Sequence, residues 1–177
     1  MKLTKIIVLL AGISLLAGGC VSRAIKEGVG TVTGAKGVYK EVRSPGRLSS
    51  YQNFEVGAFT DTFGRTPGSL LRKIPAETRT RLAEAKLGVG GSGKTLLIRG
   101  EVIYFEKAGA MGQAFGPLEE AVCEVQLVDK ASGEVIGNAT CVGRSTATVN
   151  QGLDKKAQGL AKAIVDWIKS NRPEDDD

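Results

Sequence analysis

Residues Gly88, Val89, Gly90, Gly91, Ser92, Gly93, Lys94 and Thr95 fit the spacing GxxxxGK[ST]. In a phosphate loop of that pattern, backbone N–H groups cradle phosphates, the lysine neutralises them and the hydroxyl holds magnesium. The chemistry needs a strand before the loop and a helix after it. Here the order is reversed: helical spacing precedes the glycines, and an alternating stretch containing Gly100, Val102 and Tyr104 follows them. We read the segment as a glycine-rich linker from a helix end to a strand, and a nucleotide is not an expected partner. The chain has no histidine, which excludes serine or cysteine nucleophiles with a histidine base, and histidine metal sites. Its three cysteines are Cys20, Cys123 and Cys141, too few for a zinc cluster once Cys20 is otherwise engaged. Glu119 and Glu120, adjacent on a strand, would point to opposite faces, and Glu101 and Glu106 read as solvated charge. No catalytic residue, cofactor or metal is expected.

Cys123 and Cys141 carry the remaining chemistry. The segments 122–129 and 134–148 read as a hairpin turning at Ala131, Ser132 and Gly133, with glycine supplying the left-handed φ. Closing that loop with Lys130 opposite Glu134 sets Cys123 opposite Cys141 at a non-hydrogen-bonded site, where Cα atoms approach to about 4.5 Å. The same face collects Val125, Leu127, Val135 and Ala139 as a core face. In an oxidising compartment the pair would form a disulfide that staples the hairpin; reduced, it is two small core hydrophobes. The spacing admits both.

The other elements follow from periodicity. A strand is expected over 51–63, with Phe54, Val56, Ala58 and Phe59, and a helix from Pro75, at its first position, to Gly88, burying Ile74, Thr78, Leu82 and Ala85. A strand over 95–105 places Leu96, Ile98, Val102 and Tyr104 on one face. A last helix over 153–170 carries the stripe Leu153, Ala157, Leu160, Ile164, Trp167 and Ile168, with Lys155, Lys156, Lys162 and Asp166 opposite. Trp167 is then a core anchor. The expected fold is α+β, a two-layer sandwich of strand, helix, three strands and helix with a mostly antiparallel sheet. The glycine-rich loop 108–118 bears Met111 and Phe115, which either contact a partner or, in the case of Phe115, fold back as a lid on the core.

The N-terminus tells where the protein works. Lys2 and Lys5 precede an apolar run, 6–16, too short to span the ~20 residues of a bilayer crossing but suited to an export signal. It closes with Leu16, Ala17, Gly18, Gly19 and Cys20, which resembles the lipobox of bacterial lipoproteins. The resemblance implies cleavage of 1–19 and acylation of Cys20, whose diacylglyceryl and palmitate-type chains hold the protein on a membrane. Val21 after the cysteine implies sorting to the outer membrane, facing the periplasm. Without Lys2 and Lys5 the formal charge of +5 falls to about +3, too mild to argue for nucleic acid. The segment 20–49 reads as a basic, glycine-rich tether, 50–172 as one domain, and 173–177 as an acidic tail.

With the lipobox, the strand around Tyr51 and Phe59, the Gly100 strand, Asp129 and Gly133 in the hairpin, and the closing helix, the chain resembles small bacterial lipoproteins with a domain of unknown function. That family brings no catalytic residues. Two functions follow as expectations: a non-enzymatic accessory or adaptor that docks on an envelope protein, or a periplasmic binding module for a lipid, glycan or small amphiphile with a cavity near Trp167, Phe105 and Phe115.

Overall fold

The structure, a computed structural model, describes residues 35–88, 92–106, 120–145 and 152–172. Its elements are β1 (Ala35–Arg43), β2 (Asn53–Asp61), α1 (Gly68–Glu84), β3 (Thr95–Phe105), β4 (Glu120–Asp129), β5 (Val135–Ser145) and α2 (Gly152–Ser170). The five strands form one sheet in the order β1-β5-β4-β3-β2; β2 and β3 run parallel and every other neighbouring pair is antiparallel. The parallel pair is joined by α1, as parallel strands require a crossover. Both helices cover the same side of the sheet and pack against each other, with the Lys73–Asp154 ion pair between them. This is the expected two-layer α+β architecture, mostly antiparallel, with one strand more. Cys20, Met111, Phe115 and the segments 1–19 and 173–177 lie outside the described residues.

The additional strand corrects the tether expected over 20–49: Ala35–Arg43 is the edge strand of the sheet. Its pattern hid it. The positions facing α2 are Gly37, Tyr39 and Glu41, whereas the apolar Val38 and Val42 face away from the helices and are exposed. A side chain at 37 has no room, since a Cβ there would stand 2.0 Å from the Gly159 carbonyl oxygen of α2. Gly159 and Gly143 complete this close approach, which lets the α2 backbone lie directly on β1 and β5. Glu41 accepts hydrogen bonds from the Trp167 indole N–H and the Asn171 amide, both at 2.9 Å, so the buried indole has the partner it needs.

Helix α1 begins two turns before Pro75, which sits inside it and not at its start. The apolar stripe decides this: Leu70, Ile74, Thr78 and Leu82 are all buried at four-residue spacing, and Leu70 comes before the proline. The Thr78 hydroxyl donates to the Ile74 carbonyl, a bond that keeps a polar side chain satisfied in the core. The helix ends at Glu84, with Ala85 as its cap, four residues before Gly88.

In β3 the expected common face breaks at its end. Leu96, Ile98 and Val102 are fully buried, but a bulge between Val102 and Tyr104 inverts the alternation and sends Tyr104 to the opposite, exposed face. The hairpin shows the same effect. Cys123 does stand opposite Cys141, but the turn closes one residue earlier, with the Asp129 N–H donating to the Glu134 carbonyl at 2.9 Å. A register shift at Ile136 compensates, and it moves Val135 off the core face to pair with Val128. Val125, Leu127 and Ala139 remain in the core as expected. In α2 the stripe holds, with Trp167 fully buried, but Lys156 is not on the outer side. It is 1% exposed, donates to the Glu106 carbonyl at 2.9 Å and lies 4.6 Å from the Phe105 ring centre. Its long stem fills core space while its ammonium reaches the sheet end.

Candidate functional site

The glycine-rich segment is built as a linker on the residues described. Gly88 follows α1 and its carbonyl accepts the Phe54 N–H at 2.8 Å, while Thr95 opens β3. The Lys94 N–H donates to the Gln52 side chain at 3.0 Å, and the Lys94 carbonyl accepts from the N–H groups of Gln52 and Asn53. The Lys94 ammonium stands 5.5 Å from the Tyr51 ring centre. These groups are turned onto the β2 side of the fold. Lys94 and Thr95 border a shallow cleft with Asp129, Lys130 and Ala131. Asp129 there accepts the N–H groups of Ala131 and Ser132, both at 2.9 Å, and the Tyr51 hydroxyl at 2.8 Å. Those donors hold its carboxyl below the ordinary carboxylate range, and burial first, then Asp129, pushes Tyr51 up to about 12. Asp129 is thus the organising anion of the hairpin turn.

Cys123 and Cys141 are free, fully buried thiols facing each other across β4 and β5 beneath α2. Burial pushes Cys141 up to about 12 and Cys123 well above the usual thiol value, the latter further raised by its neighbour. Neither supplies a thiolate in the folded domain. Trp167 is equally enclosed, and the cleft bordered by Phe105 does not reach it. That cleft, about 260 Å³, lies at the end of the parallel strands β2 and β3 between Asp61, Phe63, Arg65, Thr66, Ile103, Tyr104 and Phe105. Phe63 stands 66% exposed at its rim. Asp61 accepts the Thr66 N–H at 2.7 Å and the Phe63 N–H at 3.2 Å, chiefly the former holding its carboxyl low, and so shapes the loop that carries Phe63.

The face of the sheet turned away from the helices was not anticipated as a site. Strand register arranges its side chains in rows. One row runs Val38, Val142, Val122, Tyr104 across β1, β5, β4 and β3. Val38 is 42% and Tyr104 47% exposed, with the two central valines half-buried. On one side of it run Lys40, Thr140, Glu124, Glu101 and Thr60, on the other Lys36, Arg144 and Glu120. The Glu106 N–H donates to the Glu120 carbonyl at 3.0 Å, which continues that last row toward β3. Arg144 donates to Glu120 at 2.8 Å. The negative charge of Glu106, together with burial and Glu120, raises the Tyr104 phenol above its ordinary value. Around the valine–tyrosine row, basic groups therefore border the β1–β5 half and carboxylates the β4–β3 half, with Arg99 beside Glu101 and Glu124. The alternation in each strand was visible in sequence, but which strands are neighbours was not.

Among the described residues no helix is long and apolar enough to cross a membrane, and no cluster of three or more metal-ligating side chains occurs. No protein-family model and no curated protein matches the sequence. Solved structures do. A minor lipoprotein from Acinetobacter baumannii is 14% identical with a TM-score of 0.42, covering 68% of this chain and 94% of that one. A protein of Caulobacter crescentus has the same identity and TM-score, with 68% and 93% covered. PelC from Paraburkholderia phytofirmans, solved as a dodecamer in two crystal forms, has a TM-score of 0.55 at 14% identity and covers 78% of this chain and 99% of its own. The domain described here therefore has the fold of PelC over nearly the whole of that protein.

Proposed function

We propose that the protein is a lipid-anchored lipoprotein of the bacterial envelope that acts as a non-enzymatic accessory or adaptor in an envelope assembly. The observation that carries this is the shared fold with PelC, a protein solved as a dodecamer, joined to a chain whose first residues resemble a lipoprotein signal ending at Cys20. Acylation at Cys20 with palmitate-type chains, at the outer membrane facing the periplasm, is part of the same reading. In this reading the domain acts by docking, and the anchor confines it to the surface where the assembly sits. The cleft at Asp61, Phe63 and Arg65 favours a second reading, a periplasmic binding module for a lipid, glycan or small amphiphile.

The test is isolation of the full-length, acylated protein, tagged at its C-terminus, from native membranes in mild detergent, with mass spectrometry of co-purifying molecules. A stoichiometric envelope protein supports the accessory role. Recovery of the chain alone with a defined lipid or glycan replaces it with the binding module, and recovery in the soluble fraction with Cys20 unmodified refutes the anchor.

A further inference from the structure

We propose that the open face of the sheet is a docking surface for a second copy of this chain, stacked sheet on sheet about a two-fold axis that runs parallel to the strands between β4 and β5. Such an axis lays β1 over the other copy's β3, and β5 over its β4. The rows then match themselves in reverse. Val38 comes over Tyr104 and Val142 over Val122, so the exposed apolar row is covered by its own image. Lys40 comes over Glu101, Lys36 over Glu106, and Arg144 over Glu120, while Thr140 meets Glu124. Lys36, Lys40 and Arg144 thus each meet a carboxylate of the other copy, while the next row brings Asn138 over Gln126 and Arg43 over Arg99.

The charges also select the geometry. A two-fold axis running across the strands would place β1 on β1 and the carboxylate half on itself, opposing like charges. Within one copy, Glu101 stands directly across from Glu124, with Arg99 lining the same cleft. The second copy's Lys40 adds a further cation over this pair. An anionic lipid surface fits the face poorly, because Glu101, Glu106, Glu120 and Glu124 occupy half of it. Four strands at ~4.8 Å spacing and about nine residues at ~3.3 Å give roughly 600 Å² per copy. The total, about 1,200 Å², reaches the lower bound of a specific interface, and stacked sheets at aligned angles are a standard packing mode. A dimer of micromolar affinity is expected, strengthened when both copies are held on one membrane. Self-association through this face goes beyond the accessory role and holds whatever the envelope partner is.

Analytical ultracentrifugation of the mature acylated protein in density-matched detergent tests it, with circular dichroism to show that each variant is folded. The parent is expected to pass from monomer to dimer with rising concentration, and the dimer to weaken at high salt. Lys40→Glu and Glu101→Lys should each weaken dimerisation about tenfold. The double variant Lys40→Glu with Glu101→Lys restores both contacts and should recover most of the affinity. A parent that stays monomeric, charge reversals without effect, or a double variant no better than the singles overturns the proposal. Because none of these readouts involves the envelope partner, they fail or succeed independently of the accessory role.

Discussion

Replacing Gly159 by alanine sets two effects of opposite sign against each other. In an ordinary helix interior the exchange favours folding by about 1 kcal/mol, because glycine loses more backbone freedom on folding. At this position an added Cβ would lie 2.6 Å from the Lys36 carbonyl oxygen, 3.0 Å from the Gly143 Cα and 3.2 Å from the Arg144 nitrogen. All three are backbone atoms of β1 and β5, so no side chain can swing aside. Relief requires α2 to lift from the sheet by roughly 0.6 Å, which weakens dispersion contacts along its whole buried stripe. Overpacking of this kind costs about 1–3 kcal/mol. The net expectation is a loss of up to about 2 kcal/mol, seen as a fall in Tm of up to roughly 8 °C and a lower urea midpoint with unchanged slope. Gly68→Ala is the control: its Cβ meets only the Arg72 guanidinium at 3.6 Å, an ordinary contact, so stability should hold or rise slightly. A Gly159→Ala protein with a raised Tm would show that the close approach of α2 to β1 and β5 does not limit stability.

The thiols of Cys123 and Cys141, if reduced, should resist maleimide in native buffer at pH 8 and react together once urea unfolds the domain, because burial pushes both thiols up; ready labelling of the folded protein would contradict their placement. Asp61 and Asp129 are held below the ordinary carboxylate range by hydrogen bonds to loop N–H groups. A depressed folded value means their contribution is present above the unfolded value near ~3.9 and is lost as pH falls through the folded one. The urea midpoint should therefore decline on acidification below about pH 4, and the pair Asp61→Asn with Asp129→Asn should flatten that decline; an acid limb identical in the double variant would assign it to other groups.

The sequence by itself determined the elements whose pattern is local. The stripe of α2 was legible because one helix face meets one apolar surface, and β3 was legible because Leu96, Ile98 and Val102 alternate into one core. The pairing of Cys123 with Cys141 was legible because a hairpin's register follows from its turn, and a bulge at Ile136 made good the one-residue difference in where that turn closes. Lys156 was misplaced because helical periodicity places a Cβ but not the end of a flexible stem. Tyr104 and Val135 changed face because a bulge shifts the parity of everything beyond it. Tertiary structure alone decided β1 and the open face. At Gly37 the helix comes so close that the core-facing position must lack a side chain, which inverts the apolar signal of the strand. The rows running from Val38 to Tyr104 join residues of four strands whose neighbours are set by how the sheet closes over α1 and α2. Periodicity encodes which face of an element is buried; which elements lie side by side depends on contacts between residues far apart in the chain, and those form only when the whole sheet assembles.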